Sequence, residues 1–365
     1  MPAGPWWLMT LPAAILLAAG ILGLLRLGGL RLKGWRSRVD LPPARVESIR
    51  KPRPLAFVPP TPQHRLLETN STAVYMPTAS GRIESAWFGS TRTGASGRPS
   101  FHEGVDIGPI ARDRKGWALD EVFAAADGTA VYVNPVAGNS NYGKYAILRH
   151  ACGPDTFYTV YAHLQATDVR PGQTVAAGER IGRMGHTSSS PIPPARAHLH
   201  FEIAIMLNPA FDRWHRAQKL KPDHGRYHGW NLLGLQPLLP YIAQSQGRSF
   251  TLHETLNCHP AAFRIAVRSP RQPGYFRDVP SAWHGAEYAG PAWTADVSEN
   301  GVILRAWTST PAELERLGTA SALVLQADDH VLGRNGRRLV EPDRGGTWRL
   351  AAAGRQWLNL LLYSP

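Results

Sequence analysis

Five residues in this sequence have types and spacings that could do chemistry together. His102 and Asp106 lie in "FHEGVDIG" (101–108), His163 in "FYTVYAHLQ" (157–165), and His198 and His200 in "ARAHLHFEI" (195–203). Imidazole nitrogen and carboxylate oxygen are zinc ligands, and a catalytic zinc site keeps one position for water. His102, Asp106 and one of the His198/His200 pair make a three-ligand set. The two histidines left over are what metal-assisted hydrolysis needs to orient water, move protons and steady an oxyanion. A helical His-Glu-x-x-His motif with Glu103 as the base is excluded, because the fifth position is Asp106 and Gly104 and Pro109 interrupt a helix.

These groups need strands to position them. Alternate side chains of a strand share a face, so His102, Gly104 and Asp106 point one way, with the glycine leaving room for an ion. By the same rule His198 and His200 face one side while Leu199 and Phe201 pack on the other, and Tyr161 and His163 share a face. Glu202 lies on the face of His198 and His200, where it could orient a ligand imidazole. From about residue 71 to 205, short β-rich runs such as "VFAAADGTAVYV", "YAILRH" and "HLHFEIAI" alternate with turn residues. That pattern predicts an all-β sandwich or barrel. "PGQTVAAGERIGRMG" (171–185) reads as turn, strand and turn. After Arg248 the strand-like pieces "FRIAVRS", "GVILRAWTS", "SALVLQA" and "QWLNLLLYS" predict a second, smaller β domain.

The chain has 365 residues, 43% of them hydrophobic, and a formal net charge of +13. That balance suits an anionic surround such as a cell-wall polymer or lipid. No phosphate-binding glycine loop or recognition helix appears, so nucleic acid is not expected as a partner. Residues 5–25, "PWWLMTLPAAILLAAGILGLL", carry no charge and are long enough to span a bilayer. Arg26, Arg31, Lys33, Arg36 and Arg38 follow at once. Charges there favour a cytoplasmic carboxy-terminal side, so export is argued from the chemistry and not from this segment. Cys152 and Cys258 have no metal-pair spacing and are read as separate thiols. The organisation expected is a membrane anchor or signal segment (1–34), a basic proline-rich linker (35–70), a metal-site domain (71–247) and a C-terminal β-rich domain (248–365).

Taken together, "HEGVDI", "AAADGTAVYV", "YGKYAILRH", "YTVYAHL", "VRPGQTVAAGERIGRMGHT" and "HLHFEI" occur in an order that resembles the LytM-type zinc metallopeptidases, the M23 family. The resemblance covers residues 75–204. It implies a compact antiparallel β architecture with an open groove and zinc as the cofactor. By that likeness His102, Asp106 and His200 are the metal ligands, and His163 and His198 the catalytic pair. It further implies a zinc endopeptidase of the cell envelope, periplasmic or extracytoplasmic, that cuts peptide cross-links of peptidoglycan.

Two features depart from the family pattern. Ser188 stands where the family commonly has glycine, and "GHTSSSPIPPARAHLH" carries a longer, proline-rich loop beside the groove. His186 in that loop and His150 in "LRHACG" are read as structural. The rival readings are a LytM-like regulator that activates other wall hydrolases, and a wall-tethering module.

Overall fold

The computed structural model describes residues 55–93, 99–220, 224–333 and 338–364. The apolar run expected over residues 1–34 and the first part of the expected linker lie outside the described residues. No helix among the described residues is long and apolar enough to cross a membrane. The described residues all fall in one compact unit, Lys51–Pro365.

In chain order the strands of the first part are β1 (Thr91–Thr93), β2 (Pro99–Phe101), β3 (Val105–Ile107), β4 (Glu121–Phe123), β5 (Gly128–Asn134) and β6 (Lys144–Cys152). They continue with β7 (Asp155–Leu164), β8 (Ala166–Thr167), β9 (Thr174–Val175), β10 (Arg180–Arg183), β11 (Leu199–Met206) and β12 (Leu232–Leu235). The main sheet runs β12-β11-β7-β6-β5-β9, and β3 adds to β11. A smaller sheet, β4-β10-β8, lies on the same unit. Every ladder between strands is antiparallel.

β11 is the central element, and every residue of it is buried. Its alternation follows the sequence pattern "LHFEIAIM". Leu199, Phe201 and Ile203 enter the large apolar core, while Ala204 and Met206 join a second apolar cluster with Tyr145, Ile147, Val160 and Ala162. His200 and Glu202 alternate with the core residues and so lie on the face of that second cluster. The sheet is therefore covered on both sides, which is why its strands read as nearly continuous apolar runs.

The C-terminal part forms its own sheet from β13 (Phe263–Arg268), β14 (Ala292–Val297), β15 (Ile303–Thr308) and β16 (Ala322–Ala327), in the order β15-β14-β13-β16. The hairpin β17 (Val340–Pro342) and β18 (Trp348–Leu350) follows. Its core is continuous with that of the main sheet: Phe263, Trp293 and Leu360 belong to the same cluster as Val105 and Phe201. The expected second, smaller β domain is thus a second sheet whose core is shared with the main sheet.

Several expectations need correction. The chain is mostly β but not all-β, with helices at Phe211–Ala217, Leu239–Ser245, Leu252–Asn257, Pro311–Leu317 and Ala352–Leu362. "QWLNLLLYS" lies almost wholly in the last of these and is no strand. Its buried Trp357, Leu360 and Leu361 sit at positions i, i+3 and i+4, the spacing of one helical face. The expected linker does not reach residue 70. Phe57 is buried against Phe250, with ring centroids 4.9 Å apart, and the Val58 amide donates to the Ala125 carbonyl at 2.8 Å. Two apolar side chains, Phe57 and Leu66, hold this proline-rich stretch on the core. Both cysteines are free thiols.

Candidate metal centre

β3 pairs with β11 so that Asp106 stands opposite His200. The turn that follows β2 brings His102 to the same place. His102 Nε2, Asp106 Oδ1 and His200 Nδ1 form a triangle with edges of 3.2, 2.9 and 3.1 Å. All three residues are buried. Ligands about 2.0–2.1 Å from a tetrahedral zinc would lie roughly 3.3–3.4 Å apart, so the triangle is within a few tenths of an ångström of that geometry.

The outward atoms fix what the inward atoms offer. His102 Nδ1 lies 2.7 Å from the Trp87 carbonyl oxygen, which only accepts, so this nitrogen carries the proton and Nε2 presents a lone pair. His200 Nε2 donates in the same way to Glu202 Oε1 at 2.7 Å, leaving Nδ1 as the inward acceptor. Two lone pairs and a carboxylate oxygen then meet with no hydrogen between them. That cluster calls for a cation or a proton, and its donor set suits zinc.

The charges around the triangle show the same demand. Burial pulls the His200 pKa down, yet the hydrogen bonds to Asp106 and Glu202 outweigh it and lift it to about 9. The His102 imidazole, without a second carboxylate partner, is carried by burial and Arg92 down to about 4. Burial would raise the Asp106 carboxyl, but Arg92 and the surrounding imidazoles hold it well below its usual range. Arg92 Nη2 donates to Asp106 Oδ2 at 2.6 Å and also to the Ser85 carbonyl, so it occupies the oxygen that the triangle leaves over.

His198 and His163 stand beside the triangle. His198 Nδ1 donates to the Arg196 carbonyl at 2.7 Å, and its Nε2 is 3.6 Å from Asp106 Oδ2. His163 Nδ1 donates to the Thr187 carbonyl at 2.8 Å. The two rings meet edge to face with centroids 4.7 Å apart, and His163 is 5.8 Å from the His200 ring. In both rings Nδ1 is the anchored nitrogen, so in the neutral imidazole Nε2 carries the lone pair. Burial first, then the neighbouring imidazoles, holds His163 well below its usual pKa, so the neutral ring is favoured.

His163 reaches this position through a bulge and not through simple alternation. Between the pairs Ala146–Tyr161 and Lys144–Leu164, β6 advances two residues while β7 advances three. His163 takes up the extra residue with φ +62°. Tyr161 and Leu164 both stay in the core, whereas the His163 ring lies against His198 on the other side. The expectation that Tyr161 and His163 share a face is therefore wrong. Bulges of this kind often re-aim a side chain beside an active site.

Gly104 also has a different role from the one expected. A Cβ there would stand 2.4 Å from the Phe201 carbonyl oxygen, so glycine lets the 102–106 turn close onto β11 and does not make space for an ion. Glu202 does lie where expected, accepting from His200 and from the Tyr142 hydroxyl at 2.6 Å. Tyr142, Arg92 and the Trp87 carbonyl were not anticipated. His186 stays outside the centre, with its ring on Trp117 and Nδ1 on the Ile192 carbonyl. His150 is buried between the Asp127 carbonyl and Thr159.

The sequence model of peptidase family M23 matches residues 100–211, the stretch that contains all five residues. This segment is similar to peptidase family M23. An uncharacterized metalloprotease of Haemophilus influenzae is 37% identical over 124 residues, covering 34% of this chain and 23% of that protein. The murein hydrolase activator NlpD of Escherichia coli is 38% identical over 104 residues, or 28% of this chain and 22% of NlpD. The peptidoglycan DD-endopeptidase ShyA of Vibrio cholerae is 34% identical over 90 residues, or 24% and 18%. The match thus spans less than a quarter of each of these relatives.

Proposed function

We propose that the chain is a zinc-dependent endopeptidase that hydrolyses peptide cross-links of bacterial peptidoglycan outside the cytoplasmic membrane. The observation that carries this reading is the convergence of His102 Nε2, Asp106 Oδ1 and His200 Nδ1, with two further histidines alongside that are anchored through Nδ1. The family match and the likeness to a peptidoglycan endopeptidase support the substrate class.

In this reading His102, Asp106 and His200 hold the ion. When bound, zinc supplies a Lewis acid that polarises the scissile carbonyl and brings a water's pKa towards ~7. Glu202 accepts from His200 Nε2, which fixes the ring, turns Nδ1 towards the ion and raises its basicity, and the Trp87 carbonyl fixes the His102 ring with Nε2 facing inward. His163 and His198, each anchored through Nδ1 to a backbone carbonyl, present Nε2 to the reacting atoms. There they take a proton from the attacking water, steady the developing oxyanion and return a proton to the leaving amine.

The likeness to NlpD favours a second reading, an activator of other wall hydrolases. One experiment separates the two. Purified chain with zinc is incubated with isolated peptidoglycan, the released fragments are sized by mass, and metal content is measured in parallel. We expect about one zinc per chain, release of fragments with newly cut peptides, and loss of both metal and cleavage in Asp106→Ala. Full zinc occupancy without any cleavage would leave the activator reading standing. Failure to bind zinc would remove the enzymatic reading altogether.

A further inference from the structure

Asn208 and Pro209, just past the C-terminal end of β11, border a cavity of about 790 Å³, within the usual size range of ligand sites. His200 lies near the other end of β11, and no residue of the metal centre lines this cavity. Its described lining holds four arginines, Arg213, Arg226, Arg271 and Arg277, against one carboxylate, Asp212. All four arginines lie outside residues 100–211, so the family match does not account for them.

The nearby carboxylates do not balance this charge. Asp212 is engaged by a further arginine, Arg216, whose Nη2 donates to its Oδ2 at 3.3 Å. Asp278 stands near two of the four, with Arg277 Nε 3.9 Å from its Oδ1 and Arg226 acting on it electrostatically. Even with both carboxylates counted, the guanidinium groups outnumber them. The four side chains are exposed, yet the backbone that carries them is pinned. Ser269 Oγ donates to the Arg271 carbonyl at 2.6 Å, and Pro270 and Pro273 fix the backbone on either side. The Arg226 carbonyl accepts from Asn231 Nδ2 at 2.8 Å, and the same amide donates to the Asn208 carbonyl at 2.9 Å. Arg213 stands on the helix that buries Phe211 and Trp214, and Arg277 follows the buried Phe276. Like charges held on pinned segments repel one another, and an anion between them removes that cost.

We propose that this cavity binds a phosphate group, as the free ion or as the end group of a phosphate monoester. A carboxylate offers two coplanar oxygens and a single charge, which one guanidinium fork satisfies. A phosphate spreads close to two negative charges over three or more oxygens that point in different directions. Several planar forks carried by separate segments can share it, and guanidinium is the side-chain group best matched to it. The site lies apart from the proposed metal centre, and the proposal does not rest on the endopeptidase reading.

The test is isothermal titration calorimetry on the full chain at low salt, with zinc and after chelation. The probes are inorganic phosphate, glycerol 3-phosphate and acetate. Phosphate should bind at least about 10-fold more tightly than acetate with or without metal, and its affinity should fall as salt is raised. Arg213→Gln and Arg271→Gln, both at exposed positions, should each weaken phosphate binding by about 10-fold or more, the loss expected for a hydrogen bond to a charged group. Arg170→Gln removes the same charge from an exposed residue outside this cavity and should leave the affinity unchanged. Glycerol 3-phosphate binding as tightly as phosphate assigns the site to the end of a monoester, whereas binding of phosphate alone assigns it to the free ion. Equal binding of acetate and phosphate, an unchanged affinity in the two cavity variants, or an equal loss in Arg170→Gln overturns the proposal. Phosphate binding that vanishes on chelation would place the anion at the metal centre and overturn it as well.

Discussion

Glu103 and Asn300 are 197 positions apart in the chain and meet beside the metal centre, with Asn300 Nδ2 donating to Glu103 Oε2 at 2.7 Å. The same Nδ2 donates to the Gly234 carbonyl at 2.9 Å, and the Gly234 amide donates back to Glu103. Gly234 is required here, because a Cβ would stand 2.2 Å from the Glu103 carbonyl oxygen. The turn after β14 is thereby tied to the segment that carries His102. The C-terminal sheet is a support of the centre as well as a neighbour.

Asn300→Ala should therefore destabilise the whole unit. It removes three hydrogen bonds, to Glu103, to the Gly234 carbonyl and from the Ser298 hydroxyl, each worth about 1 kcal/mol, and leaves the Gly234 carbonyl short of a donor. Urea unfolding should show a loss of about 1–3 kcal/mol in a single transition. Asn300→Asp should be worse than alanine, since it places a second carboxylate against Glu103. A variant as stable as wild type would show that the contact does not bear on stability.

The pH dependence of stability should carry the signature of His150. Burial lowers its pKa to about 4, although the Asp127 carbonyl acts the other way. In the unfolded chain it titrates near 6.5. Between those values the unfolded state binds the extra proton, so stability is complete above about pH 6.5 and falls as pH drops towards 4. The slope from this residue approaches about 1.4 kcal/mol per pH unit within that window. His150→Gln should be less stable at pH 7 but should show a shallower loss between pH 6.5 and 4. Parallel curves for the two proteins would mean that His150 titrates normally in the fold.

Alternation along "HLHFEI" was enough to place His200 and Glu202 on one face and Leu199 and Phe201 in the core, because a strand has a fixed period of two. What alternation cannot show is where a strand breaks its own period, and His163 sits at such a break. Tyr142 and the Trp87 carbonyl come from segments without strand periodicity and Arg92 from the three-residue strand β1, and they act through long-range contacts that no local pattern encodes. Gly104 was misread for a related reason: its neighbour, the Phe201 carbonyl, is nearly a hundred positions away. "QWLNLLLYS" was legible as buried but not as helical, since a short apolar run fits a strand or one face of a helix equally well.

The bulge makes a separable prediction about His163. At φ +62° a residue with a Cβ carries a cost of about 1–2 kcal/mol that glycine does not. His163→Gly and His163→Ala lose the same imidazole and the same bond to the Thr187 carbonyl. The glycine variant should nonetheless be the more stable of the two, by about 1 kcal/mol in urea unfolding. Both should keep a full complement of zinc, because the proposed ligand triangle does not use His163. If His163 moves protons or steadies the oxyanion, both should lose cleavage by about 100- to 10,000-fold. Full activity in either variant would make His163 a packing residue and leave His198 to act alone. Loss of zinc in both would place His163 among the ligands, and the proposed triangle would have to be redrawn around it.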